Sequence, residues 1–212
     1  MGKAISTDIN WINAQAKIQH ENNQQWWIDL QTGKRLNRNK GELLALIHSE
    51  VSEAWEGLYL FDDKLPKYNG AQVELADTLI RIFDFLGGFN IEIDLLMVYP
   101  LEYPTFPEFQ NPVPIMFNKV HSGISDLLET YRKDASNELR IMEQFYVLIN
   151  NIMLLSQIIN QQIEEAKITE MHTKEPFPIV WLDFLINEKS EFNLNRADHK
   201  LEVRKSEGGK KF

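Results

Sequence analysis

Two pairs of acidic residues stand on neighbouring segments of the chain. Glu50 and Glu53 are three residues apart, and Glu74 and Asp77 repeat that spacing. Residues three apart project from the same face of an α-helix, so each pair would present two carboxylates side by side. A short connection makes two such helices antiparallel neighbours, and all four carboxylates can then converge.

The residues around both pairs predict that the acids face inward. Apolar side chains flank them, namely Leu46, Ile47, Val51, Ala54, Val73, Leu75, Ala76 and Ile80. Carboxylates at the apolar edge of a helical bundle repel one another and are costly to desolvate unless a divalent cation binds them. Ligands that offer only oxygen favour Mg²⁺, with Mn²⁺ as a possible substitute, over zinc.

Two other interpretations of these acids compete with a Mg²⁺ site. Acidic pairs at this spacing also arise on solvated helix surfaces, but two pairs on consecutive helices, without a lysine four residues on, favour a metal site. A di-iron carboxylate bundle needs a Glu-x-x-His motif on each of two helices. Neither pair carries that histidine, which argues against a di-iron site.

Composition excludes several classes of protein. The 212 residues, 43% of them hydrophobic, can bury one sizeable core. A net charge of −9 argues against stable DNA or RNA binding but leaves a small phosphorylated ligand possible. The absence of cysteine excludes disulfides and thiolate catalysis. We expect a soluble, cytoplasmic protein, because no stretch approaches the ~20 apolar residues of a membrane helix and no signal peptide is recognisable.

The elements that must position the acids are predicted to be helices, because apolar residues recur every three or four positions. We therefore predict an all-α fold with a four-helix-bundle core. The first helix should follow Ser6 or Thr7 and bury Ile9, Ile12, Ala16 and Gln19. The others should cover residues 40–59, capped by Asn39, then 71–86, a short continuation at 90–98, 115–132, 136–166 and 179–192. The third helix should end at Gly87-Gly88 in a left-handed residue, and the prolines between 100 and 114 should form a rigid connector.

A weak internal repeat links the two halves of the chain. The segment that begins His48-Ser49-Glu50 aligns with the one that begins His121-Ser122-Gly123. In this alignment the hairpin at about 40–88 keeps its carboxylates, whereas the hairpin at about 115–166 replaces Glu50 by Gly123 and Asp77 by Tyr146. We interpret residues 1–212 as a single domain in which one hairpin is catalytic and the other is scaffold.

The order E-x-x-E then E-x-x-D, in the context LIHSEVSEAWEG and VELADTLIRIFD, resembles a known signature. It is that of the all-α nucleoside triphosphate pyrophosphohydrolases, which include the MazG-like proteins and the dimeric dUTPases. A block from Lys189 to His199, with the pattern K-x-x-x-N-x-x-R-x-D-H, is similar to the family's C-terminal phosphate-binding segment, here about 187–212. The Asn-Asn-Gln-Gln-Trp-Trp run and the closing Gly-Gly-Lys-Lys-Phe resemble phage-type MazG-like members.

This resemblance implies an Mg²⁺-dependent hydrolase that converts a nucleoside triphosphate to a monophosphate and pyrophosphate. Glu50, Glu53, Glu74 and Asp77 would hold the metal, and Glu50 or Glu53 would orient or deprotonate the attacking water. The phosphate chain would be contacted by Lys189, Asn193, Arg196, Lys205 and Lys210. Asp198 would orient Arg196 or shape its loop.

The resemblance also implies that the N-terminal helix region recognises the base. Asn13, Gln24 and Trp27 offer amide edges and an aromatic face for that purpose, although adjacent aromatic residues are more often plain core. Members of the family pair their subunits, so we expect a homodimer or a larger homo-oligomer. The alternative to an enzyme is a non-catalytic helical bundle that binds nucleotides or a protein partner and keeps the acids as remnants.

Overall fold

The structure is a computed structural model that describes residues 7–94 and 111–205. Within these ranges the regular elements are helices, with two isolated β-bridges, which confirms the predicted all-α class. The α-helices are α1 (Ile9–Asn23), α2 (Lys40–Glu56), α3 (Gly70–Gly88), α4 (Pro112–Asp134), α5 (Glu138–Glu164), α6 (Leu182–Asn195) and α7 (Leu201–Lys205). None of the described helices is both long and apolar enough to cross a membrane.

Polar caps fix the starts of the first two helices. The Asp8 carboxylate accepts the Asn10 N–H at 2.9 Å, so α1 begins slightly later than predicted. The Asn39 side chain accepts the Glu42 N–H at 3.2 Å, which confirms the predicted cap of α2. The four residues predicted as the apolar stripe of α1 are its buried residues.

A close backbone contact ties the end of α2 to the start of α3. Helix α2 ends at Glu56, and the predicted extension to Tyr59 is instead a 3₁₀ turn over Gly57–Tyr59. A Cβ atom added to Gly57 would lie 2.8 Å from the backbone carbonyl carbon of Gly70. The two backbones can come this close only because both positions are glycine. Their contact joins α2 and α3 into the antiparallel hairpin that carries the acids.

Helix α3 lies at the centre of the molecule and contacts α1, α2, α5 and α6. It continues through Gly87 and Gly88, so the prediction that this pair ends the helix in a left-handed residue is wrong. The left-handed residue is Asn90, with φ 54°. The two glycines instead permit close packing, because a Cβ on Gly87 would lie 2.4 Å from the Ala16 carbonyl oxygen and one on Gly88 would lie 2.2 Å from the Trp27 ring.

The segments that follow α3 also differ from the prediction. Residues 91–94 are not helical, so the predicted continuation is wrong there, and its remainder lies outside the described residues. Helix α4 begins at Pro112, capped by the Asn111 side chain. Pro112 and Pro114 therefore lie in the first turn of α4 rather than in a connector. Proline is tolerated there because the backbone N–H groups of the first turn have no partner within the helix, so the missing N–H of proline costs no hydrogen bond. Residues 100–110 of the predicted connector lie outside the described part.

The two hairpins α2–α3 and α4–α5 pack against each other through α2 on α4 and α3 on α5. His48 of α2 and His121 of α4, which occupy matched positions in the proposed repeat, have their Nδ1 atoms 2.8 Å apart. Equivalent residues that touch across an interface are expected where two units are related by a two-fold axis. Residues at matched positions of the proposed repeat therefore meet between the two hairpins, and the duplication itself stays a prediction.

Candidate metal centre

Three of the four predicted acids meet between α2 and α3. Glu50, Glu74 and Asp77 each place a carboxylate oxygen within 4.8 Å of the others, and all three residues are buried. We call them the acidic triad. Glu53 stays exposed and is not part of it, although its charge helps to raise the pKa of Glu50 after the larger effects of burial, Arg81 and Asp77. The predicted convergence therefore holds for three carboxylates.

Two lysines approach the acids of α3. The Nζ atom of Lys189, whose side chain has 0% exposure, lies 3.4 Å from Glu74 Oε1 and 3.4 Å from Asp77 Oδ2. Lys64, in the loop between α2 and α3, places its Nζ atom 3.3 Å from the same Glu74 Oε1. The Lys64 side chain is 27% exposed, so it is partly buried beside the triad.

The second oxygen of Glu74 distinguishes this site from an ordinary buried ion pair. Glu74 Oε2 is buried and has no hydrogen-bond partner within the described part of the chain. A buried acceptor without a partner costs about 1–3 kcal/mol, more when it is charged. The carboxylate is therefore incompletely satisfied by the lysines around it.

Arg81 is a cation of the site that sequence reasoning missed. Its Nε atom donates to Glu50 Oε1 at 2.5 Å. Arg81 follows Asp77 by one helical turn, and this spacing is visible in the sequence, but it is equally typical of a surface ion pair. On the other side of the site, the Asn193 side-chain N–H donates to Asp77 Oδ1 at 3.2 Å.

Burial and neighbouring charges set the protonation of the triad. Burial raises the pKa of Glu74 to about 7, although the charge of Lys189 opposes this. Burial also raises the pKa of Glu50, against the opposing charge of Arg81. For Asp77 burial acts in the same direction, but the charges of Lys189 and Arg81 outweigh it and the pKa is lowered. Glu74 is thus the member of the triad whose pKa comes closest to neutral pH.

A small cavity of about 80 Å³ opens beside the triad. Its walls include Asn23, Trp26, Asp77, Arg81, Arg196 and His199. Arg196 is held in place by Asp198, whose two oxygens accept from Nε at 3.0 Å and from a terminal nitrogen at 2.7 Å. The structure therefore brings Arg196 to the side of the site, oriented by Asp198.

The end of the described chain supplies a second arginine that no motif marks. Arg204 is buried, its guanidinium carbon lies 3.8 Å from the centroid of the Trp26 ring, and it donates to the Gln25 carbonyl at 2.8 Å. Arg204 fixes one face of Trp26 by a cation–π contact. Of the tail lysines predicted to bind phosphate, Lys205 is exposed and Lys210 lies outside the described residues.

The structure does not bring the three predicted base-binding residues together. The Trp27 ring is 3% exposed and donates its N–H to Asp84 at 3.0 Å. The Asn13 side-chain amide donates to the Ile93 carbonyl and accepts the Ile93 backbone N–H. Asn13 also lines a different cavity from the one beside the acids. Gln24 is exposed. The aromatic residue beside the acids is Trp26, the neighbour of the one predicted.

The triad could hold a metal ion. The three carboxylate oxygens lie within 4.8 Å of one another, which is close enough for them to share one ion. Comparisons of the chain with models of protein families, with curated proteins and with solved structures find no match.

Proposed function

We propose that the protein is an Mg²⁺-dependent nucleoside triphosphate pyrophosphohydrolase that releases a nucleoside monophosphate and pyrophosphate. The observation that carries the proposal is the buried acidic triad, with an unpaired Glu74 oxygen, next to a cavity lined by Arg81 and Arg196. Carboxylates that could hold a divalent cation, next to guanidinium groups, suit a phosphate chain bound through that cation.

The donor atoms of the triad suit Mg²⁺ or Mn²⁺, because all of them are carboxylate oxygens. Such an ion would supply charge neutralisation for the phosphates and a more acidic bound water. Glu53, exposed at the edge of the triad, and Glu50 are the candidate bases for the attacking water. Water adds to phosphorus, the bond to the leaving pyrophosphate oxygen breaks, and the proton of the water passes to one of these carboxylates.

Cationic and amide groups would hold the phosphates during this step. Arg196 offers a planar fork that Asp198 already orients. Asn193 can turn its amide from Asp77 toward a phosphate oxygen. We assign base stacking to Trp26 rather than to Trp27, because the Trp26 ring lines the cavity beside the acids. Lys205 and Lys210 remain candidates for further phosphate contacts.

The test is pyrophosphate release from a panel of ribo- and deoxynucleoside triphosphates, in Mg²⁺ and in chelator. We expect Mg²⁺-dependent turnover of at least one substrate, and a loss of at least ~100-fold in the Asp77→Asn variant, because metal positioning is lost. Glu129→Gln is the matched control, since Glu129 is an exposed carboxylate of α4 outside the triad. Its rate should equal that of the wild type.

Two outcomes would reject the proposal that the protein is a pyrophosphohydrolase. One is the absence of turnover of every triphosphate in Mg²⁺ by folded protein. The other is a wild-type rate in Asp77→Asn. Metal-independent nucleotide binding without turnover would favour the non-catalytic helical bundle instead.

A further inference from the structure

Lys189 occupies an unusual place for a residue expected to bind phosphate. Its side chain has 0% exposure, and its ammonium group lies between Glu74 and Asp77, 3.4 Å from one oxygen of each. Charge-assisted hydrogen bonds of this kind are commonly about 2.7–2.9 Å long, so the ammonium bridges the two acids without a tight bond to either. A lysine in this position cannot also reach a phosphate chain in the cavity.

A divalent cation on the triad would compete with this ammonium group for the same oxygens. An ion that binds Glu74 and Asp77 must come within about 2.0–2.6 Å of oxygens that Lys189 now approaches. Two like charges would then face each other in a buried site, where Coulomb repulsion is weakly screened. The cation and the Lys189 ammonium therefore exclude each other.

The other two cations of the site, Arg81 and Lys64, would compete less directly with a metal ion. Arg81 forms its ion pair with Glu50, and its side chain is 35% exposed. Lys64 forms an ion pair with Glu74, and its side chain is 27% exposed. Lys189 alone of these three bridges two acids, and it is the one without solvent contact.

We infer that Lys189 is a built-in substitute for the metal, which a divalent cation displaces and thereby releases for the triphosphate. This inference rests on the proposed function and deepens it. In the metal-free protein the ammonium group balances Glu74 and Asp77. When the metal binds, the long side chain swings away from the acids and toward the side of α6 where Asn193 stands. The exchange orders the events, since Lys189 reaches the phosphates only after the metal is bound.

The direct test is the reactivity of the Lys189 amine in the wild-type protein. The chain is treated briefly with an amine-acylating reagent, in chelator, in Mg²⁺, and in Mg²⁺ with inorganic tripolyphosphate, and each lysine is read by peptide mass spectrometry. We expect Lys189 to be protected in chelator, at least ~10-fold more reactive in Mg²⁺ as local burial is lost, and protected again by tripolyphosphate. Lys133, 62% exposed, is the internal control and should react equally throughout.

A second measurement uses calorimetric titration of Mn²⁺ into wild type and Lys189→Met. Removal of the competing charge should tighten Mn²⁺ binding by about tenfold or more. Mn²⁺ binding to the wild type without any change in Lys189 reactivity would overturn the exchange and leave the proposed function standing. An unchanged Mn²⁺ affinity in a folded Lys189→Met variant would overturn it too. No metal binding to the wild type would reject both the exchange and the metal site.

Discussion

Glu74 has the most strongly raised pKa among the acids of the site, and this would make metal binding at the triad sensitive to pH. In the metal-free protein its pKa lies at about 7, against an ordinary value of 4.5, with burial as the largest cause. Between these two values the folded protein keeps a proton that the unfolded chain releases. The contribution of Glu74 to stability therefore falls as the pH rises through this window. A cation bound at the proposed metal site would replace the proton and remove this loss of stability.

The gain in Tm on adding Mg²⁺ should consequently be larger at about pH 8 than at about pH 6, because metal and proton compete at Glu74. Thermal unfolding in Mg²⁺ and in chelator, at both values, measures this difference. Glu74→Gln is the control, since an amide cannot take up the proton, and its Mg²⁺ response should be small and nearly independent of pH. If Mg²⁺ raised the Tm of the wild type equally at both pH values, metal and proton would not compete at Glu74.

Arg81 and Glu50 form an ion pair whose loss should be felt in stability. Arg81→Met leaves Glu50, 4% exposed, without the guanidinium that balances its burial. We expect a loss of about 1–3 kcal/mol, less than for a fully buried pair because the arginine is partly exposed. Urea unfolding at constant pH measures the loss.

The matched control for Arg81 is the exposed pair between Arg132 and Glu129 on α4. Arg132→Met should cost less than about 1 kcal/mol, because surface ion pairs in water contribute little. Similar costs for the two variants would show that the Arg81 pair is no stronger than a surface contact.

At the scale of elements, the sequence predicts the helices well because their apolar spacing and caps are local signals. The buried face of α1 and the Asn39 cap of α2 are as predicted. The Gly87-Gly88 pair was misinterpreted because glycine serves both helix ends and close packing, and only the position of α1 decides between them.

The site was only partly predictable for a related reason. Spacing identified the three acids of the triad, but it could not show that Glu53 stays exposed, because which side of a helix is covered depends on the whole bundle. The position of Lys189 between two acids depends on how α6 docks on α3. Such contacts join residues more than 100 positions apart, and no local pattern encodes them.

The contact between α1 and α3 gives a prediction for these elements. Gly87→Ala should destabilise the protein by about 1–3 kcal/mol, because the new Cβ would lie 2.4 Å from the Ala16 backbone oxygen and α1 would have to shift. The change is measured by urea unfolding. Gly123→Ala is the control, since its Cβ would meet the flexible end of Leu148 at 3.2 Å and alanine favours the helix. A cost for Gly123→Ala as large as for Gly87→Ala would contradict this account of the α1–α3 packing.

At the scale of the whole molecule, the described chain contains both hairpins of a four-helix core. His48 and His121, at matched positions of the proposed repeat, meet between the two hairpins. At the position matched to Asp77, the second hairpin carries Tyr146, which is buried. With Tyr146 there and Gly123 in place of Glu50, the second hairpin lacks two of the four acids, so one candidate site is expected for each chain.

This organisation leads to a prediction about subunits. The acidic triad and its three cations come from α2, α3, α6 and the loop before α3 of a single chain. The predicted homodimer would therefore add stability or regulation but no residue of the triad. We expect the rate of pyrophosphate release per chain to stay constant on dilution through any change of oligomeric state, with one triad loaded per chain. Light scattering gives the mass at each concentration, and Mn²⁺ titration gives the stoichiometry. A rate that follows the fraction of dimer, or one loaded triad for every two chains, would mean that a second subunit completes the site.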